Sequence, residues 1–153
     1  MYVTFEMFSI GLISPMAADL GVTEGQVGLL MTVYAGIVAI ITIPLMELTA
    51  RFDRKPVFMA TLIFLLLGIV LQGLAANYWM LVAGRVCAAL THGLFWSLVN
   101  PMAARLAPRG MTAKAVGVVS LGSTMALVAG SPLTTLMGNA VGWRGATWIL
   151  GAL

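Results

Sequence analysis

Charge is what this sequence has least of. Asp, Glu, Lys and Arg make up 8% of its 153 residues, against about 25% in soluble domains, while hydrophobic residues make up 61%. A water-soluble fold of this composition would leave much apolar surface wet, so a lipid bilayer is the expected solvent. Cysteine is nearly missing too. The single Cys87 lies in an apolar stretch and can form no internal disulfide. No group of His, Cys, Asp and Glu has metal-ligand spacing, so neither a metal nor another cofactor is expected. A net charge of +3 would admit nucleic acid, but the placement of the cations points to membrane topology, and no nucleic-acid partner is expected. There is no basic start and small-residue cleavage site of a signal peptide, since Met1 opens directly into apolar sequence. Leu153 stops inside a further apolar run, and both ends are expected to be cut.

What is present is a series of long apolar runs. At about 20 residues per span plus short loops, the chain holds about six helices. Gly, Pro and charge divide it into helix 1 at about Met1–Ala18, helix 2 at Gln26–Leu48, helix 3 at Pro56–Ala76, helix 4 at Tyr78–Leu106, helix 5 at Thr112–Val141 and helix 6 from Trp143. The runs are continuous rather than alternating, which excludes the strands of a β-barrel. Residues 1–153 thus read as one all-α transmembrane bundle.

The loops sort by charge. Loop 2–3 carries Arg51, Arg54 and Lys55, and loop 4–5 carries Arg105, Arg109 and Lys114. Loop 1–2 has Asp19 and Glu24 without a cation, and loop 5–6 has only Arg144. Six of the eight cations therefore lie on one side, which is expected to be cytoplasmic. Tyr78, Trp79 and Trp143 fall at the opposite boundary, as interfacial anchors do.

An internal repeat is expected. Helix 1 ends in Ser14-Pro15-Met16-Ala17-Ala18-Asp19-Leu20 and helix 4 in Asn100-Pro101-Met102-Ala103-Ala104-Arg105-Leu106. These are the first helices of successive three-helix units, where an inverted repeat would put the match. The one charged position switches sign, as opposite insertion requires. In this register Glu6 pairs with His92.

Ionisable side chains inside a span are costly and mark function by default. Three qualify. Arg85 and His92, seven residues apart, share a face of helix 4. Glu6 is balanced between burial, which favours its neutral form, and a nearby Arg, which favours its charged form. It is a candidate to load and release a proton, or else a Glu satisfied by a neighbouring helix. Arg85 is either a fixed positive charge for a carboxylate or anion, or a helix-pairing Arg held by carbonyls and hydroxyls. His92 is either a proton relay or a packing residue. Small-residue rows at Gly122, Ala126 and Gly130, and at Gly28, Thr32 and Gly36, are spaced for helix contact, and the Gly130-Ser131-Pro132 break could bend helix 5. Tyr34, Phe8, Phe95 and Trp96 could line a cavity or sit in the core.

Together these residues resemble the major facilitator superfamily, in its drug:proton antiporter and sugar-efflux branch, over the whole chain. Thr4-Phe5-Glu6, Gly11-Leu12, Pro15 and Ala18-Asp19-Leu20-Gly21-Val22 are similar to that branch's first helix and loop. Arg51-Phe52-Asp53-Arg54-Lys55 resembles its loop 2–3, and Gly84-Arg85, Ala88-Ala89 and His92-Gly93 resemble its helix 4. Gly130-Ser131-Pro132, Gly138 and Gly142-Trp143-Arg144 resemble its helix 5 antiporter motif and the loop that follows. There are departures. The family's loop 2–3 has Gly where Met46 stands and Asp where Ala50 stands, and its Gly-Pro pair is interrupted by Ser131.

The resemblance implies the N-terminal six-helix half of a twelve-helix fold, a 3+3 inverted repeat whose C-terminal half is missing here. It maps Glu6 and Arg85 to proton coupling, and Arg51, Arg54, Lys55, Gly130, Pro132 and Gly138 to conformational motifs. The implied activity is alternating access in a bacterial-type inner membrane, with protons driving export of a drug, sugar or nucleoside. Alternatives are uptake or facilitated transport, or a fragment or scaffold that does not transport. An enzyme is not expected, because three scattered ionisable groups supply no convergent nucleophile, base or metal site.

Overall fold

The computed structural model describes residues 2–152. Met1 and Leu153, the expected outer limits of helices 1 and 6, lie outside the described residues. Among those described the chain is all helical. Five stretches are long and apolar enough to cross a membrane. They are α1 (Tyr2–Leu20), α2 (Glu24–Thr49), α3 (Arg54–Gly73), α4 (Tyr78–Leu106) and the run Thr112–Ala152. The last turns at Gly142, whose φ of 76° suits a residue without a side chain. Its two arms are named α5 (112–141) and α6 (143–152).

The helix starts follow local chemistry. Thr23 and Gln26 form a reciprocal capping box, which starts α2 at Glu24 rather than Gln26. The Asn77 side chain accepts from the Met80 N–H at 2.9 Å to cap α4. Helix α3 begins at Arg54, before the expected Pro56, because a proline in the first turn removes an N–H that would have no helical partner anyway. It ends at Gly73, short of the expected Ala76.

Helix 1 departs most from the sequence reading, which took it as unbroken. A short helix Tyr2–Met7 gives way to a 3₁₀ turn at Ile10–Leu12 and a second helix at Ile13–Leu20. Pro15 is the cause legible in the sequence. It has no N–H for the Gly11 carbonyl, and its ring crowds that carbonyl, which weakens the helix at that turn, although Pro44 and Pro101 lie inside unbroken helices.

Helix α4 is central and packs on α2, α3 and the Thr112–Ala152 run. A Cβ on Gly68 of α3 would lie 2.7 Å from the Gly84 carbonyl oxygen of α4, so the two backbones touch there. On Gly93 it would lie 1.9 Å from Thr42 Oγ1 of α2. The rows expected to pack do so at Gly130, which is buried against Thr4 of α1, but not along their other glycines. Nothing lies within 4 Å of a Cβ at Gly28, Gly36 or Gly122, and Thr32 is exposed. Spacing shows that a helix has a small-residue face but not which face meets a neighbour.

Two apolar clusters fill the bundle. One joins Phe8, Leu12, Met16, Leu81, Trp143 and Leu150, which settles Phe8 as a core residue. The other joins Tyr2, Phe5, Tyr34, Leu65, Ile69 and Ala88. Trp143 is therefore not the interfacial anchor expected. It is 4% exposed, and its indole N–H donates to Asp19 Oδ2 at 3.1 Å. Trp79, 76% exposed, keeps an anchor's position.

Candidate functional site

The break in α1 creates the site. A helix that stops leaves carbonyls without helical N–H partners, and lipid cannot supply them. Arg85 answers from α4. One guanidinium nitrogen donates to the Phe5 carbonyl at 2.9 Å and lies 3.4 Å from that of Glu6. The other donates to Ser9 Oγ. The guanidinium carbon stands 4.7 Å from the centre of the Phe5 ring. Arg85 is fully buried, and its Nε has no hydrogen-bond partner. Among the described residues its donors go to carbonyls and a hydroxyl, and it forms no ion pair with Glu6.

His92 is the central residue of the 29-residue α4, about 21 Å from either end at 1.5 Å per residue. Its Nδ1 is 2.8 Å from the Tyr34 hydroxyl of α2. Its Nε2 lies 3.9 Å from Glu6 Oε2, too far for a direct hydrogen bond. Tyr34 is buried at 1% exposure, whereas the Glu6 side chain keeps 27%. A carboxyl, an imidazole and a phenol, each from a different helix, thus form a line from a partly open surface into the core.

Aromatic rings box the imidazole. Tyr2 and Tyr34 meet it edge-on with centroids 5.6 and 5.5 Å away, and Trp96 stands at 6.4 Å. The Tyr2 hydroxyl donates to the Thr61 carbonyl at 2.7 Å and lies 3.0 Å from Thr91 Oγ1. Phe95 packs on Tyr2 at 4.3 Å. A half-buried, ring-lined imidazole with one hydroxyl partner and a carboxylate 3.9 Å away can pass or hold a proton.

The three ionisable residues singled out in the sequence therefore come together, with Phe95 and Trp96 beside them. Tyr34 was no more than one of several cavity candidates, and Tyr2 and Ser9 carried no flag. A signal for Ser9 was available, because it lies three residues after Glu6 and so on the same helical face.

The motif residues lie elsewhere. Helix α5 presents Gly130, Thr135 and Gly138 to the broken helix. A Cβ on Gly138 would lie 2.2 Å from Leu12 Cδ2, and one on Gly11 1.9 Å from Thr135 Oγ1. On Gly130 it would meet Thr4 Cγ2 at an ordinary 3.5 Å. Pro132 is exposed on α5. Arg51, Arg54 and Lys55 are exposed at the α2–α3 turn, far along the chain from the buried cluster.

Comparison with known proteins agrees with this architecture. The model of the Major Facilitator Superfamily matches residues 1–153. A chloramphenicol efflux pump of Mycobacterium tuberculosis is 39% identical over 143 residues, which are 94% of this chain and 35% of that protein. A probable sugar efflux transporter of Pasteurella multocida is 35% identical over 98% of this chain and 37% of its own length. Another, of Helicobacter pylori, is 33% identical over 98% of this chain and 38% of its own length. The chain thus spans little more than a third of these relatives. A multi-pass helical membrane bundle built round embedded ionisable groups, matched from end to end by one family model, belongs to the Major Facilitator Superfamily of transporters.

Proposed function

We propose that this chain is the N-terminal half of a proton-coupled exporter of small organic compounds, working by alternating access with a second six-helix half. The observation that carries the reading is the line Glu6–His92–Tyr34 at mid-depth. Glu6 is the one acidic residue of the three, and it is the partly exposed end of the line. It takes a proton from the side to which the cavity opens and releases it to the other. His92, within 3.9 Å, senses whether that proton is present. Arg85 fixes the backbone on which Glu6 is mounted. A compound with a ring or a sugar face suits the aromatic wall of Tyr2, Phe95 and Trp96. The efflux pumps and sugar exporters among the relatives support export as the direction. The excess of cations on one side supports a reading with the basic loops in the cytoplasm and the bundle in a bacterial inner membrane.

The test is a Glu6→Gln variant of the full-length protein reconstituted in vesicles. Glutamine keeps the shape but has no carboxyl to gain or lose a proton. Export driven by a pH gradient is expected to stop, while exchange of substrate across vesicles without a gradient continues. Export with unchanged pH dependence would reject the assignment.

A further inference from the structure

Between the start of α3 and the end of α4 lies an open groove of about 820 Å³. Arg54 and Lys55 reach it from the first turn of α3 and Arg105 from the last turn of α4, against a single acid, Asp53. Among the described residues none of these cations forms an ion pair, since the two pairs are His92–Glu6 and Arg144–Asp19. The groove is positive and not neutralised from within. Asp53 stands before α3 but makes no side-chain cap hydrogen bond to it, so the positive end of that helix also awaits an anion.

The rest of the groove is apolar and opens outward. Met59 is 50% exposed and Leu106 81%. Met59 begins a stripe on α3 that continues through Ile63 and Leu67, all at least 47% exposed. One helical turn separates each from the next, so the stripe follows the helix axis. A free phosphate would use the cations and gain nothing from the stripe. A molecule with a phosphate and a long chain would use both.

We infer that this groove binds one anionic glycerophospholipid, its phosphate among Arg54, Lys55 and Arg105 and an acyl chain along Met59, Ile63 and Leu67. The pairing of unneutralised cations with an exposed apolar track at the basic end of the bundle carries the assignment. It does not depend on proton coupling or on the direction of transport.

The test uses the full-length protein in detergent with equal amounts of phosphatidylglycerol and phosphatidylcholine, counting retained lipids by native mass spectrometry. One phosphatidylglycerol is expected to stay bound in preference to phosphatidylcholine. Arg105→Gln, Arg54→Gln or Lys55→Gln is each expected to lower its occupancy about fivefold. Arg51→Gln, in the same loop but outside the groove, is expected to leave it unchanged. Met59→Glu keeps every cation and is expected to expel the lipid. Equal retention of the two lipids, or the same loss from Arg51→Gln as from Arg105→Gln, would overturn the site in favour of diffuse surface charge. Displacement by millimolar glycerol phosphate would overturn the lipid in favour of a soluble anion.

Discussion

Glu6 of α1 and His92 of α4 hold the same position in the register that aligns Ser14–Leu20 with Asn100–Leu106, and their side chains approach to 3.9 Å. In a unit with two-fold symmetry, matching positions touch only on the axis. His92 is also the central residue of its helix. An axis in the membrane plane at that depth is what an inverted repeat requires, so sequence register and geometry point to one place. The two positions differ in chemistry, one acidic and one basic, which suits the proton handling proposed for them above.

The Tyr34–His92 contact is expected to matter for turnover more than for folding. Tyr34→Phe removes only the hydroxyl that lies 2.8 Å from Nδ1, and the loss of one such bond is expected to slow proton-driven export about tenfold. His92→Ala is expected to cost at least as much. The double variant should be no slower than His92→Ala, because the two act as one unit. Initial rates in vesicles, normalised to folded protein, provide the check. Additive losses would mean that the contact is incidental.

Arg85 is expected to be a stability residue as well. Arg85→Leu strands the Phe5 carbonyl and Ser9 Oγ inside the bundle and should cost about 2–4 kcal/mol. Arg85→Lys keeps the charge but can follow only part of the fork, so it should recover less than half. Reversible unfolding in SDS measures both. A full recovery by Lys would show that charge alone matters.

The glycine contact between α3 and α4 makes a sharper prediction. Gly84→Ala puts a methyl 2.9 Å from the Gly68 carbonyl oxygen, and relief by separating the backbones should cost about 1–3 kcal/mol. Gly28→Ala and Gly117→Ala, where nothing lies within 4 Å, are expected to cost nothing, or to stabilise by up to about 1 kcal/mol, in the same unfolding assay. Equal effects at all three would mean that helix propensity, not contact, governs these sites.

At the end of the bundle away from the basic loops, Asp19 accepts from both Arg144 and Trp143. Asn in its place keeps an acceptor and loses the charge, and because the pair is about 40% exposed (38% and 42%), the expected cost is about 0.5 kcal/mol. Asp19→Ala leaves the buried indole N–H without a partner and should cost about 2 kcal/mol. Matching costs for the two variants would show that charge rather than hydrogen bonding holds this corner.

The all-helical membrane fold was legible because lipid leaves few options: long apolar runs, scarce charge and short polar turns admit little else. The embedded Glu6, Arg85 and His92 were legible for the same reason. Their partners were not. Tyr34 and Ser9 are ordinary in composition and gain meaning only when α2 and α1 are laid against α4. The broken first helix was signalled by Pro15, but a proline near a helix end is also compatible with an unbroken helix, and it takes the opposing Arg85 to stabilise the gap. Trp143 was misread because a tryptophan at a loop boundary serves equally as an anchor or a plug, and only the position of Asp19 separates the two.

The turn at Gly142 occupies a single residue, so the two arms stay joined end to end. A tilt of the long arm of 112–141 is expected to carry 143–152 with it. Arg144 grips Asp19 at the tip of the first helix and donates to the Ala75 carbonyl at 2.6 Å, so that motion reaches α1 and the α3–α4 corner together. Three outer corners of the molecule are geared to one lever.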